Sequence, residues 1–331
     1  MSEKTMVTID CGLIIPEDSE KVFENQHIRL EAGIECKGTL IFRNCTIEPC
    51  AKLESKNGRK PVCKPGCISM GIDGKLEMDG CEVIYPGSDF ISSWNMMIKN
   101  TSFLITQRPD NGIGIQSFLT PCVIAAHGKA KLVGCSFVEK AEHDSHDIKL
   151  DLIRFDVANL DNCTFKNIIG KIEVDTIFGC SFTGCAYVSS AEISGSTFTD
   201  CGEVSADNGY FRDCDFIHVK TVFATSSDIG NCKFQKIRED TEDDGAIILD
   251  DCKITHCTFD DVELHNNSYL VDGHGDACVE YCQFTNCRTD RDDGEICRGK
   301  IETGKLRKKM IEIDILRSDT CTGLDKIDRL N

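Results

Sequence analysis

Between Phe42 and Phe284 the chain writes one six-residue phrase eleven times: FRNCTI, MDGCEV, IKNTSF, LVGCSF, LDNCTF, IFGCSF, ISGSTF, FRDCDF, IGNCKF, ITHCTF and VEYCQF. The form is apolar, variable, turn residue, small residue, variable, apolar. The fourth positions are Cys45, Cys81, Thr101, Cys135, Cys163, Cys180, Ser196, Cys214, Cys232, Cys257 and Cys282, and successive copies stand 16 to 36 residues apart. A short unit recurring at unequal intervals is a fixed structural piece with loops of different length spliced between copies, as in a solenoid.

The fourth and sixth positions are two apart and share a strand face, whereas the first and fourth are three apart and in one flat strand would point oppositely. A bend must lie between them. The third position supplies it: Asn44, Gly80, Asn100, Gly134, Asn162, Gly179, Gly195, Asp213 and Asn231 fill nine of the eleven copies, and these residue types tolerate a left-handed backbone. Each copy is then one corner of a coil, and the coils stack as an all-β, parallel β-helix of about eleven coils. A pentapeptide-repeat helix would need a period of five, and a leucine-rich horseshoe would need Leu-rich strands with helical returns. The spacings and composition show neither. Residues 1–35 are expected to form an N-terminal cap or first strands, 36–298 the repeats, and 299–331 a C-terminal cap, since open solenoid ends expose unpaired strand edges.

In a parallel β-helix equivalent residues lie one strand spacing apart, roughly 4.8 Å, so Phe stacks on Phe and Cys on Cys. This gives the 22 cysteines a reason. Nine take the fourth position, among them Cys135, Cys163, Cys180, Cys214, Cys232, Cys257 and Cys282, and Cys185, Cys201 and Cys287 follow the Phe by three. Stacked Cβ atoms about 4.8 Å apart exceed the roughly 3.5–4.5 Å of a disulfide, so the ladder is expected to be reduced thiols serving as small hydrophobes. A reducing, cytoplasmic location fits such a ladder.

Asp and Glu total 55 against 37 Lys and Arg, a formal charge of −18. That balance repels nucleic-acid phosphates and anionic membranes, so neither is expected as a direct partner. The N-terminus MSEKTMVTIDCGLIIPEDSE has no apolar run of the length a secretory signal needs, and no stretch elsewhere approaches about 18 apolar residues. A soluble chain inside the cell is the expectation.

The repeats resemble those of right-handed parallel β-helix proteins grouped with the pectate lyase-like proteins, and are similar to the polymorphic outer-membrane repeats written GGAI and FxxN. The counterparts are DDGAI at Asp243–Ile247, DDGEI at Asp292–Ile296, FKN at Phe165–Asn167 and FTNC at Phe284–Cys287. The resemblance covers about residues 36 to 300 and implies a right-handed β-helix. Through the pectate lyase-like proteins it also implies a carbohydrate-active alternative, a polysaccharide lyase or glycoside hydrolase on acidic polysaccharides. No residue set matches a catalytic motif of that family.

Several clusters are candidates for chemistry. Cys50, Cys63 and Cys67, with Cys36 or Cys45 as a fourth ligand, would suit zinc, although zinc thiolate pairs usually have two intervening residues and these have other spacings. His143 and His146, with Asp144 and Asp147, combine imidazole and carboxylate in one loop as a divalent metal requires. The Asp-rich turns Asp243-Asp244-Gly245, Asp272-Gly273 and Asp292-Asp293-Gly294 recur with the coil and, if stacked, form an acidic stripe that needs Arg partners or a cation such as calcium. Arg238, Arg288 and Arg291 are close enough in sequence to serve. Simple solvated Asp-Gly turns are the other reading. If the protein is an enzyme, Asp244, Asp272 and Asp293 are the expected catalytic acids.

Carbohydrate grooves favour aromatic platforms, and the chain holds one Trp, Trp94, and five Tyr. No phosphate-binding glycine loop is present. The leading expectation is therefore a non-enzymatic scaffold, without a required cofactor, that binds a protein partner through its acidic surface and the long loops after Cys45 and Thr101. An acidic mimic of DNA is a further alternative.

Overall fold

The computed structural model describes residues 4–49, 66–84, 86, 90–106, 122–140, 151–155, 158–239, 245–266, 268–275, 277–289, 297–298, 302–304 and 311–315. Every regular element among them is a β-strand. The chain divides into two compact units, 1–189 and 190–331, and within each the strands stack in parallel.

In the first unit a coil has three sides. The first is built by β1 (Thr5–Ile9), β2 (Leu13–Ile15) and β3 (Glu20–Glu24), the next by β4 (Gln26–Leu30), β5 (Ile34–Cys36) and β6 (Thr39–Arg43). β1 pairs with β4, β2 with β5 and β3 with β6, each parallel and in register. The next coil adds Thr46–Pro49, Ile68–Met70 and Lys75–Asp79 to the same three sides. Residues 5–30 thus already follow the plan of the repeats. In the second unit Asp215–Ile217 lies between Thr197–Thr199 and Lys233–Gln235. Glu203–Arg212 serves two sides, pairing at its start with Thr221–Thr225 and at its end with Asp228–Gly230.

Period-two alternation puts one face of each strand inside. Along the Phe column ring centroids are 4.6 Å apart for Phe103 and Phe137, 4.8 Å for Phe137 and Phe165, and 4.8 Å for Phe165 and Phe182, with planes within 7° of parallel. In the second unit Phe216, Phe234, Phe259 and Phe284 continue at 4.7 to 4.9 Å. Parallel planes at that centroid spacing are offset stacks, the geometry that avoids facing π clouds.

All eleven third positions have a left-handed backbone, with φ between 47 and 62°. They include His256, a type that is enriched at positive φ though outside the Asn, Gly and Asp set, and Tyr281, which is not a usual left-handed residue. A twelfth corner precedes them at Asn25, φ 54°, in the phrase FENQHI, where Gln26 takes the cysteine position. A second set of left-handed corners follows the Phe: Asn167 and Gly184 in the first unit, Asp200, His218, Lys236, Asp261 and Asn286 in the second. The residue after that corner turns inward again, which is why Cys185, Cys201 and Cys287 are buried.

The backbone ladder runs through the corners without a break. The Asn44 amide donates to the Asp79 carbonyl at 2.9 Å, the Gly80 amide to Lys99 at 3.1 Å, and the Glu82 amide to Cys45 at 2.8 Å. Buried peptide groups are thereby satisfied even where direction changes. Stacking also orders the corner residues: Asn44 Oδ1 lies 2.6 Å from where a Cβ on Gly80 would stand, and Asn162 Oδ1 2.7 Å from the same place on Gly179. At these two corners the asparagine lies so close over the next coil that only a glycine fits there without a shift.

Candidate functional site

The thiol column is the most concentrated reactive chemistry among the described residues, and its geometry closes it off. Cys163 Sγ donates to the carbonyls of Leu132 and Asp161, both at 3.5 Å, and Cys214 Sγ to those of Ile193 at 3.7 Å and Arg212 at 3.2 Å. One acceptor is on the preceding coil and the other two residues back. At the same position Thr101 Oγ1 donates to Lys99 at 2.8 Å and Ser196 Oγ to Ser194 at 2.9 Å. The site therefore selects a small side chain with a donor, and Cys, Ser and Thr satisfy it alike.

All described cysteines are free thiols. Burial raises the pKa of Cys36 and Cys252 and pushes Cys287 up to about 11. Hydrogen bonding to Cys163, together with burial, holds Cys135 and Cys180 far above the ordinary thiol range. Such thiols are protonated and inert as nucleophiles.

Of the expected zinc ligands, Cys36 and Cys45 are fully buried core residues and Cys67 is half-buried at the entry to Ile68–Met70. Cys50, Cys63, His143 and His146 lie outside the described residues. Among the described residues no group of three or more His, Cys, Asp and Glu is arranged to hold a metal ion.

The acidic-stripe expectation needs correction at Asp272. Asp272 and Gly273 do not form a turn but sit inside the strand Tyr269–His274, with Asp272 only 7% exposed. The register partners of Asp272 are Ile248 on one side and Arg298 on the other, and its Oδ2 is 3.7 Å from His274 Nε2. No acid stacks on it, because the strand continues through the residues that sequence alone reads as a turn. Asp243, Asp244, Asp292 and Asp293 lie outside the described residues. Arg238 is engaged elsewhere, 3.0 Å from Asp261 Oδ1 and 3.1 Å from Glu263 Oε2.

The outward faces carry a pattern that the linear sequence hides. Glu24, Arg43, Asp79 and Lys99 form one in-register column in the first unit, and Arg238, Glu263 and Arg288 form another in the second. Further opposite pairs are Arg29 on Glu48, Asp215 on Lys233 and Asp228 on Lys253. Among the paired strands described for each unit, no acid stands in register on an acid and no base on a base. Diagonal pairs add to this. Lys253 Nζ is 2.8 Å from Glu280 Oε2, which holds the Glu280 carboxyl below its usual range. A duplex mimic needs continuous lines of one sign, and these columns alternate.

Sequence reasoning also missed the corner stack of His256 and Tyr281, whose ring centroids are 5.2 Å apart with planes 17° from parallel. The only available signal was that both break the Asn, Gly and Asp rule at the third position.

No known protein family matches the chain, and no curated protein matches it. Among solved structures it is similar to the endo-xylogalacturonan hydrolase from Aspergillus tubingensis, at 11% identity and a TM-score of 0.22, over 93% of this chain and 92% of that one. A score of that size decides nothing by itself. The stacked register and left-handed corners define the class: a parallel β-helix repeat protein.

Proposed function

We propose that the chain is a non-enzymatic scaffold of a reducing compartment, the cytoplasm, that binds a protein partner through its rigid, net-acidic surface. The observation that carries this reading is the pair of alternating columns, Glu24–Arg43–Asp79–Lys99 and Arg238–Glu263–Arg288. Charges fixed at strand spacing in alternating sign favour a partner with a complementary pattern over a uniform polyion, because like charges brought together cost affinity. Further acids at turns and corners, such as Asp10, Glu17 and Asp18 in the first unit and Asp213 and Asp251 in the second, add to the net negative charge, which sets the sign of long-range attraction. Free buried thiols support the reducing compartment.

The test is affinity capture from native cytosol under reducing conditions, eluted by a salt gradient. A defined protein released at moderate salt supports the reading. Recovery of no protein at any salt overturns it and directs work to a glycan panel with calcium, on which Asp244 and Asp293 would be the acids to replace.

A further inference from the structure

The alternation of charge on the outward faces lapses on one side of the second unit. The strand segments 203–207, 221–225, 245–250 and 269–274 stack in register and turn Val204, Val222, Ile247 and Val271 inward. Period two then sends out two columns side by side, Ser205–Phe223–Ile248–Asp272 and Asp207–Thr225–Asp250–His274. The first is apolar at its centre. Phe223 and Ile248 are register neighbours, both half-buried, between Ser205 and Asp272, which are each 7% exposed. The second is open, with Asp207, Asp250 and His274 exposed. These segments contain no Lys or Arg, and the first base in register is Arg298, beyond Asp272. Asp207 Oδ1 accepts the Asn208 side-chain amide at 2.9 Å, a neutral donor that leaves its charge uncompensated. Neither Asp207 nor Asp250 has a Lys or Arg partner among the described residues. Elsewhere in the unit outward acids are paired, Asp261 and Glu263 with Arg238 and Glu280 with Lys253.

Resting on the scaffold reading above, we propose that the Phe223–Ile248 strip and the flanking Asp207 and Asp250 take an extended segment of the partner in which basic and apolar side chains alternate. A segment laid along the two columns points one edge at the strip and the other at the acids. Apolar side chains on Phe223 and Ile248 leave water and supply affinity. The two carboxylates supply sign and register, and turn away an acidic segment. Asp207 and Asp250 stand two coils apart, about 10 Å, within the span of two long basic side chains on one edge. Arginine suits both columns, since its stem covers apolar surface while its planar fork meets a carboxylate. A uniform polycation has nothing to offer the strip.

The experiment titrates the full chain, by fluorescence anisotropy in reducing buffer, into three labelled peptides of equal length that alternate arginine with leucine, arginine with serine, and glutamate with leucine. The arginine–leucine peptide is expected to bind about tenfold more tightly than arginine–serine, and glutamate–leucine not to bind. Phe223→Thr/Ile248→Thr should remove that tenfold advantage. Asp250→Asn should weaken both arginine peptides, whereas Asp213→Asn, the same loss of charge at an exposed corner of the unit, should change neither. Thr225→Lys sets an ammonium between the two acids without touching the strip, and is the second variant if the double one fails to fold; it should weaken the arginine–leucine peptide as Asp250→Asn does. Failure of the arginine–leucine peptide to bind overturns the proposal, as does its binding no better than arginine–serine, or equal effects of Asp213→Asn and Asp250→Asn. In cytosolic capture, loss of the bound protein from Thr225→Lys with retention by Asp213→Asn supports the strip. Retention by both overturns the strip and leaves the scaffold reading standing. A wild type that captures nothing overturns that reading, and with it the assignment of the strip to a protein.

Discussion

The inside and the outside of this β-helix use one spacing under opposite rules. Inward columns repeat themselves, Phe103 to Phe182 as stacked rings and Cys135, Cys163 and Cys180 as stacked thiols. Outward columns among the described strand pairs place opposite charges together and no like ones, as in Glu24, Arg43, Asp79 and Lys99. Identical apolar groups at about 4.8 Å gain dispersion and exclude water, while identical charges at that distance repel. Register is therefore specified from both sides. A slip of one residue would turn the Phe column outward and bury the charges.

The inside rule breaks most sharply at Phe165, held between Phe137 and Phe182 at 4.8 Å on each side. Phe165→Ala is expected to cost about 3–5 kcal/mol, since neighbouring coils cannot collapse around the gap. Urea unfolding measures it. Phe165→Leu should cost markedly less, and equal costs for the two would mean that the stacked volume is not what stabilises the coil.

The thiols allow the inside rule to be tested by pH. Burial pushes Cys287 up to about 11, whereas an unfolded thiol titrates near 8.5. Below pH 8.5 both states are protonated and this contribution is whole. Above it the unfolded state loses the proton first, so stability falls as pH rises toward 11. The loss from Cys287 alone is on the order of 3 kcal/mol. Urea midpoints at pH 8, 9.5 and 11 should decline less steeply in Cys287→Ser than in wild type.

At the corners the expected effect is smaller. Gly179→Ala places a side chain at φ 62° and against Asn162 Oδ1, for a cost of about 1–2 kcal/mol from the left-handed backbone alone. Adding Asn162→Gly should recover only the steric part in a double-mutant cycle. Full additivity would show that the asparagine does not set the choice of glycine.

The corner rule was legible in sequence because Asn, Gly and Asp are few enough in kind to be recognised at a fixed place. Asn25 escaped because Gln26 replaces the cysteine beside it, and His256 and Tyr281 because their ring stack overrides local preference. Asp272 misled for a related reason: Asp-Gly reads as a turn, yet the neighbouring strands hold it extended. The charge columns were invisible because partners such as Arg43 and Asp79 stand 36 residues apart in sequence, at a separation that only the coil lengths determine.

The outside rule is tested by Arg43→Glu, which sets three acids in a column, with Glu24 on one side and Asp79 on the other. Cross-strand pairs of opposite charge are modest stabilisers and like pairs modest destabilisers, so the expected loss is about 0.5–1 kcal/mol. Its signature is dependence on salt: the loss should shrink as ionic strength rises from about 0.01 M to 1 M and the screening length drops from roughly 30 Å to 3 Å. Arg43→Gln, which removes attraction without adding repulsion, should fall between wild type and Arg43→Glu at low salt. If all three unfold at the same urea midpoint in 0.01 M salt, the alternation does not stabilise the coil. The pattern would then have to be explained by what the surface binds.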